Sequence, residues 1–123
     1  MSYEYLNIDV LDDQLIKNIN SNGGCGDQIV FTLEDDTKIK FHHQQDCCES
    51  VGIDTINGDL SSLINARIVS THRDVNSEDI HNDGSKTTTT DTFISENGNC
   101  VTVTWVGVSN GYYSEGVNIT RTT

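Results

Sequence analysis

Apolar and polar residues alternate most regularly over residues 27–43, "DQIVFTLEDDTKIKFHH". Ile29, Phe31 and Leu33 fall on one face, "EDDT" interrupts the run, and Ile39 and Phe41 resume it between lysines. Period-two alternation on both sides of a short polar break predicts a β-hairpin. Upstream, "LDDQLIKNIN" (11–20) reads two ways. Leu11, Leu15, Ile16 and Ile19 fit one face of a helix that Asp12 and Asp13 would favour at its N-terminal end; Leu15, Lys17 and Ile19 fit a strand less well. "NSNGGCG" (20–26) then breaks the chain with glycine.

Beyond residue 50, "SVGIDTING" reads as a short strand and "GDLSSLIN" (58–65) as a helical turn or two burying Leu60, Leu63 and Ile64, ending near Asn65. "ARIVSTHRDV" (66–75) is a strand rich in β-branched residues. Residues 76–91 are polar and threonine-rich, which predicts a loop or an extended, twisted edge. "TTTTDTFISENGNCVTVTWVGV" (87–108) predicts a second hairpin turning at "ENGN", followed by a loop at 109–116 and a last strand in "GVNITRTT". The expectation is one α+β domain over 1–123, its core at 11–120, dominated by six or so mostly antiparallel strands with one or two short helices.

Charge and composition narrow the function classes. The formal net charge is −12 with seven Lys plus Arg, which disfavours nucleic acid polymers and anionic membranes as partners. No stretch approaches the ~20 apolar residues of a membrane span, and the acidic start "MSYEYLNIDVLDDQ" has no apolar signal core. A cytosolic protein is expected, with Cys25, Cys47, Cys48 and Cys100 as thiols.

Two segments carry unusual chemistry. "FHHQQDCCES" (41–50) offers His42, His43, Asp46, Cys47, Cys48 and Glu49. It has no paired spacing of the kind zinc sites use, although His43, Cys48 and Glu49 could in principle meet. Adjacent residues on a strand face opposite ways, and an anionic setting raises a thiol pKa, so neither a metal nor a cysteine nucleophile is expected. The second segment, "WVGVSNGYYSEG" (105–116), places Trp105, Tyr112 and Tyr113 around a Ser-Asn-Gly turn. These aromatics could wall a ligand or simply cap a core. Arg67 and Arg73, six apart on one strand, would share a face if no bulge intervenes and could then clamp a diphosphate. They could equally pair with the many carboxylates.

"FHHQQDCCESV", then "INGDLSSLI", then "TWVGVSNGYYSEGV" resemble, in order and spacing over residues 28–120, a small phage-encoded family that includes the phage Thoeris anti-defence protein one-like sponges. The resemblance implies a mostly antiparallel β domain, assembled as a homodimer or larger homo-oligomer in the host bacterial cytoplasm. It implies binding and sequestering of the glycosyl-cyclic ADP-ribose signal of Thoeris immunity, or of related cyclic oligonucleotide signals, without cleavage, cofactor or metal. Its motif positions are His42, Gln44, Asp46, Cys47, Cys48 and Glu49, and Trp105, Ser109, Asn110, Tyr112, Tyr113 and Ser114.

A sponge needs stacking surfaces and donors for two phosphates. The residues expected to meet ligand are therefore His42, Gln44, Trp105, Ser109, Asn110, Tyr112 and Ser114, with Arg67, Arg73 or Arg121 on the phosphates. The alternative is an acidic module that inhibits a host protein through its surface charge. A Cys/His metalloenzyme or hydrolase is the third and weakest reading.

Overall fold

A computed structural model describes residues 6–22, 27–43, 49–80, 84–109 and 115–122, the side chains of Asn22 and Ile80 excepted. Among the described residues, eight strands form two four-stranded antiparallel sheets. The first has the order β1 (Ile16–Asn22), β2 (Gln28–Leu33), β3 (Lys38–His42), β8 (Asn118–Thr122). The second has the order β4 (Ser50–Asn57), β7 (Cys100–Ser109), β6 (Gly84–Ser95), β5 (Ile68–Ile80).

The sheets pack face to face through the alternating apolar positions. Ile29, Phe31, Ile39, Phe41 and Ile119 of the first sheet meet Ile68, Phe93, Val101, Val103 and Trp105 of the second in one buried cluster. Its centre is a triangle of rings: Phe31–Phe41 at 5.3 Å, Phe31–Phe93 at 5.1 Å and Phe41–Phe93 at 5.6 Å between centroids. Tilted aromatic contacts of this kind add to area burial. At one corner the sheets are stitched together, Leu15 bridging Arg67, with Ile16 N–H donating to Ala66 O and Ile68 N–H to Gln14 O, both 3.0 Å.

The hairpin at 27–43 and the turn at "ENGN" form as the alternation predicts. Other expectations are corrected. The helical face over 11–20 does not form: a 3₁₀ turn, Ile8–Leu11, buries Leu11, and β1 starts at Ile16. The β1–β2 ladder supplies hydrogen bonds that a short isolated helix could not offset, and a bulge between Ile16 and Asn18 disguises the strand's period. The helical turn expected within 58–65 does form, as the 3₁₀ turn Leu60–Leu63, N-capped by Asp59, C-capped by Ile64 and followed by Asn65 at a φ of 64°; it is the only other helical piece among the described residues. The described residues are thus mostly antiparallel β-sheet, as expected, with 3₁₀ turns in place of the α-helices of an α+β domain. Of the two readings of 76–91, a loop or an extended edge, the described part takes the second: it belongs to β5, at the edge of its sheet, and β6, because threonine's branched Cβ suits a strand even where the strand is polar. Among the described residues no helix is long and apolar enough to cross a membrane.

Candidate functional site

β3 leads directly into residues 44–48, and β8 takes the chain on from residues 110–117. Because β3 and β8 are paired neighbours, with His42 opposite Asn118, both unusual sequence segments spring from the same end of the first sheet. Gln44, Asp46, Cys47, Cys48, Asn110, Tyr112, Tyr113 and Ser114 lie outside the described residues, as does Cys25. The residues flanking them are well placed.

Each segment is closed by a carboxylate six residues after its partner. His43 Nε2 lies 2.6 Å from Glu49 Oε2, closing 44–48. Ser109 Oγ donates to Glu115 Oε2 at the other, closing 110–114. His43 also ties the two together, its Nδ1 2.7 Å from Gly116 O. Glu115 is further held by Thr87 Oγ1 at 2.8 Å and by Ser85 Oγ. Burial pushes the Glu115 carboxyl up, yet the hydroxyls of Ser109, Ser85 and Thr87 together hold its pKa below the usual value. Gly107 makes room for this segment: a Cβ there would sit 2.8 Å from the Cβ and carbonyl oxygen of Glu115.

The arginines do not converge. The bulge between Ile68 and Ser70 breaks the even spacing that would have put Arg67 and Arg73 on one face. Arg67 is exposed, donates to Asp13 O and lies 4.0 Å from Glu96. Arg73 turns inward and grips Asp91 with two bonds, 2.6 and 2.8 Å, donates to Val117 O at 2.7 Å and stacks its guanidinium 5.7 Å from the Phe41 ring centroid. Asp91 is fully buried; desolvation raises its pKa against the opposing pull of Arg73. Arg121 is at the opposite end of the sheet, beside a shallow depression of about 300 Å³ shared with Val10, Gln14, Leu33, Asp35 and Thr37. Trp105, 1% exposed, belongs to the core and not to a ligand wall. It stands opposite Ile53 of β4 and Thr89 of β6, so its strand register turns it inward.

One cationic feature escaped the sequence reading. On the outer face of the first sheet β3 presents Lys38, Lys40 and His42 in a column. The strand register sets Asn118, Thr120 and Thr122 of β8 on one side, and Val30, Thr32, Asn18 and Asn20 of β2 and β1 on the other. None of these is acidic, in a chain with 19 carboxylates. His42 Nε2 lies 3.3 Å from Thr120 Oγ1. Burial first, and the Lys40 charge second, lower the His42 pKa from its ordinary value. The column was visible as alternating residues of the 38–42 strand. What the sequence did not disclose was that both neighbouring strands leave the same face free of carboxylates.

The class of molecule is then a small two-sheet β-sandwich with two carboxylate-latched segments at one end and a cationic strip running up to them. Residues 10–119 match the family described as a domain of unknown function (DUF7448), and the chain belongs to that family. No curated protein and no solved structure matches the chain.

Proposed function

We propose that this domain is a phage-encoded, non-catalytic sponge that binds a small cyclic nucleotide signal of the glycosyl-cyclic ADP-ribose type in the host cytoplasm and withholds it from a host receptor. The observation that carries this reading is the meeting of the β3 strip, Lys38, Lys40 and His42, with the roots of both polar segments at His42–His43 and Asn118. Phosphate oxygens are matched by lysine ammonium groups and by the side chains of Asn18, Asn20, Asn118 and Thr122 around them, on strands whose outward residues include no carboxylate; the Asp36 carboxylate acts on Lys38 at the far end of the strip. Arg67 and Arg73 are engaged elsewhere, so the phosphate role passes from them to Lys40 and its neighbours.

The test is thermal unfolding with glycosyl-cyclic ADP-ribose, cyclic ADP-ribose isomers and cyclic trinucleotides. Ligand at ~1,000 times its Kd adds about 4 kcal/mol to the native state, several degrees of Tm for a domain this size. A shift, with intact nucleotide recovered after heat denaturation, supports the sponge. Recovery of cleaved product alone would point to an enzyme, and no shift with any of them overturns the reading.

A second reading, an acidic inhibitor of a host protein, is favoured by the net charge of −12 and by exposed Asp74, Glu78 and Asp79 on β5. It predicts salt-sensitive capture of a basic protein in place of a nucleotide.

A further inference from the structure

β5 is the longest strand in the fold, Ile68–Ile80, and it lies at the edge of its sheet, paired on one side with β6. Its first residues are covered: Ile68 bonds to Gln14 and Asp13, and Thr71 Oγ1 donates to Asp12 at 2.8 Å. From His72 to Asp79 every residue except Arg73 is exposed, and among the described residues no backbone bond reaches the free edge there. Natural sheets blunt such an edge with charged side chains, lysine above all, or with proline, bulges or shortness; the charges of the open stretch are Arg73, Asp74, Glu78 and Asp79. Here β5 contains no lysine, the whole chain contains no proline, and the strand's single bulge sits at its covered start. In the middle of the open stretch is Val75, 60% exposed, the largest value among the exposed apolar side chains.

We infer that this edge is a self-association site, at which β5 pairs antiparallel with β5 of a second copy about a two-fold axis through Val75. A two-fold perpendicular to the sheet must pass through a residue, because opposed residues in an antiparallel pair share a face. Four centres, Asp74 to Ser77, fit the uncovered stretch; centring on Ser77 opposes no like charges but sets Val75 against Asp79. Centring on Asp74 sets it against the second copy's Asp74. Centring on Asn76 sets Asp74 against the second copy's Glu78, twice. Like charges directly opposed are destabilising. Centring on Val75 opposes His72 to Glu78, Arg73 to Ser77, and Asp74 to Asn76, with no like pair, and packs Val75 on its own copy. Charge thus removes two of the four registers, and of the two left only the one centred on Val75 packs the stretch's exposed apolar side chain on another apolar one. The result joins the β4–β7–β6–β5 sheets of the two copies into one continuous eight-stranded sheet. This interface does not depend on the ligand reading above.

Because each chain carries −12, the pair forms against repulsion that salt screens, so association tightens as ionic strength rises. The experiment is sedimentation velocity on the full chain from 1 to 300 µM, at low and high salt, with Val75→Lys and Val75→Cys beside it. The expected result is a dimer for the parent chain, at least a tenfold weakening in Val75→Lys with unchanged far-UV circular dichroism, and disulfide-linked dimer in Val75→Cys beyond that of the parent with its own four cysteines. A parent chain that stays monomeric at 300 µM overturns the inference. So does a dimer that Val75→Lys leaves intact and Val75→Cys does not cross-link. If Val75→Lys fails to fold, the cross-link decides alone.

Discussion

His43 and Glu49 form a pair whose side chains are 5% and 0% exposed, joined by a short contact between Nε2 and Oε2. Nδ1 faces the carbonyl oxygen of Gly116 at 2.7 Å and must therefore donate. The 2.6 Å contact between Nε2 and Oε2 then requires a second proton, as imidazolium against carboxylate or as imidazole against carboxylic acid. Glu49→Ala takes the carboxylate from the buried Nε2 of His43, and His43→Ala takes the imidazole from the buried carboxylate of Glu49. Each is expected to lower unfolding free energy by about 2–4 kcal/mol in urea titrations. Glu49→Gln keeps the shape and a hydrogen bond, so it should cost less than either. A loss under 0.5 kcal/mol for both alanine variants would show that the pair does not hold the two segments.

The Arg73–Asp91 pair is the second buried charge device, and it stands where a diphosphate clamp had been expected. Asp91→Ala leaves Arg73, 20% exposed, without its two-pronged acceptor, and is expected to cost about 3 kcal/mol. Replacing both, as Arg73→Met with Asp91→Leu, removes the charges together and should recover a good part of that loss. A double-mutant cycle with a coupling energy near zero would refute the assignment. If Arg73 met ligand instead, Arg73→Met would abolish the nucleotide-induced Tm shift while leaving stability nearly unchanged.

Strand content was legible wherever apolar residues alternate cleanly, as in Ile29–Phe31–Leu33 and Ile39–Phe41, because one buried face enforces the period. It was illegible where bulges reset the register, at Ile16/Asn18 and Ile68/Ser70, since one extra residue turns an even spacing into opposite faces. It was half legible in β5 and β6, whose inward positions Thr87, Thr89 and Asp91 are buried but polar and so resemble a loop. The candidate site was legible as two odd segments. Their adjacency was not, because it depends on β8 pairing with β3 across some 80 residues of chain, a contact that no local pattern encodes.

Glu115 gives a prediction of the opposite pH sense to a buried neutral acid. Its pKa is held below the usual carboxyl value by three hydroxyls, so its contribution is fully present above the unfolded pKa of about 4.5 and fades as pH falls through the folded value. Glu115→Gln is expected to destabilise by about 1–3 kcal/mol at pH 7, and by less at a pH below the folded value, where the parent carboxyl is itself protonated. Equal losses at the two pH values would indicate a packing role only. Gly107→Ala should disturb the same segment at every pH, because its methyl meets backbone of residue 115 rather than a movable side-chain tip.

His42 ties stability and binding to one titration. Burial and then the Lys40 charge depress its pKa from 6.5, so the folded state prefers the neutral ring. As pH falls, the unfolded chain takes up its proton first, near 6.5, and the folded state loses stability until its own lower pKa is passed. Stability should therefore decline between pH 7 and the folded pKa, and His42→Gln should flatten that part of the slope. Lys40→Met removes the second of the causes that depress it, and the His42 resonance followed by NMR should then titrate closer to 6.5. The same resonance reports on the ligand. A nucleotide phosphate placed on the Lys38–Lys40–His42 strip adds negative charge beside the ring and must raise its pKa. A nucleotide that shifts Tm yet leaves the His42 titration unmoved binds elsewhere, and the phosphate role assigned to this strip would be wrong.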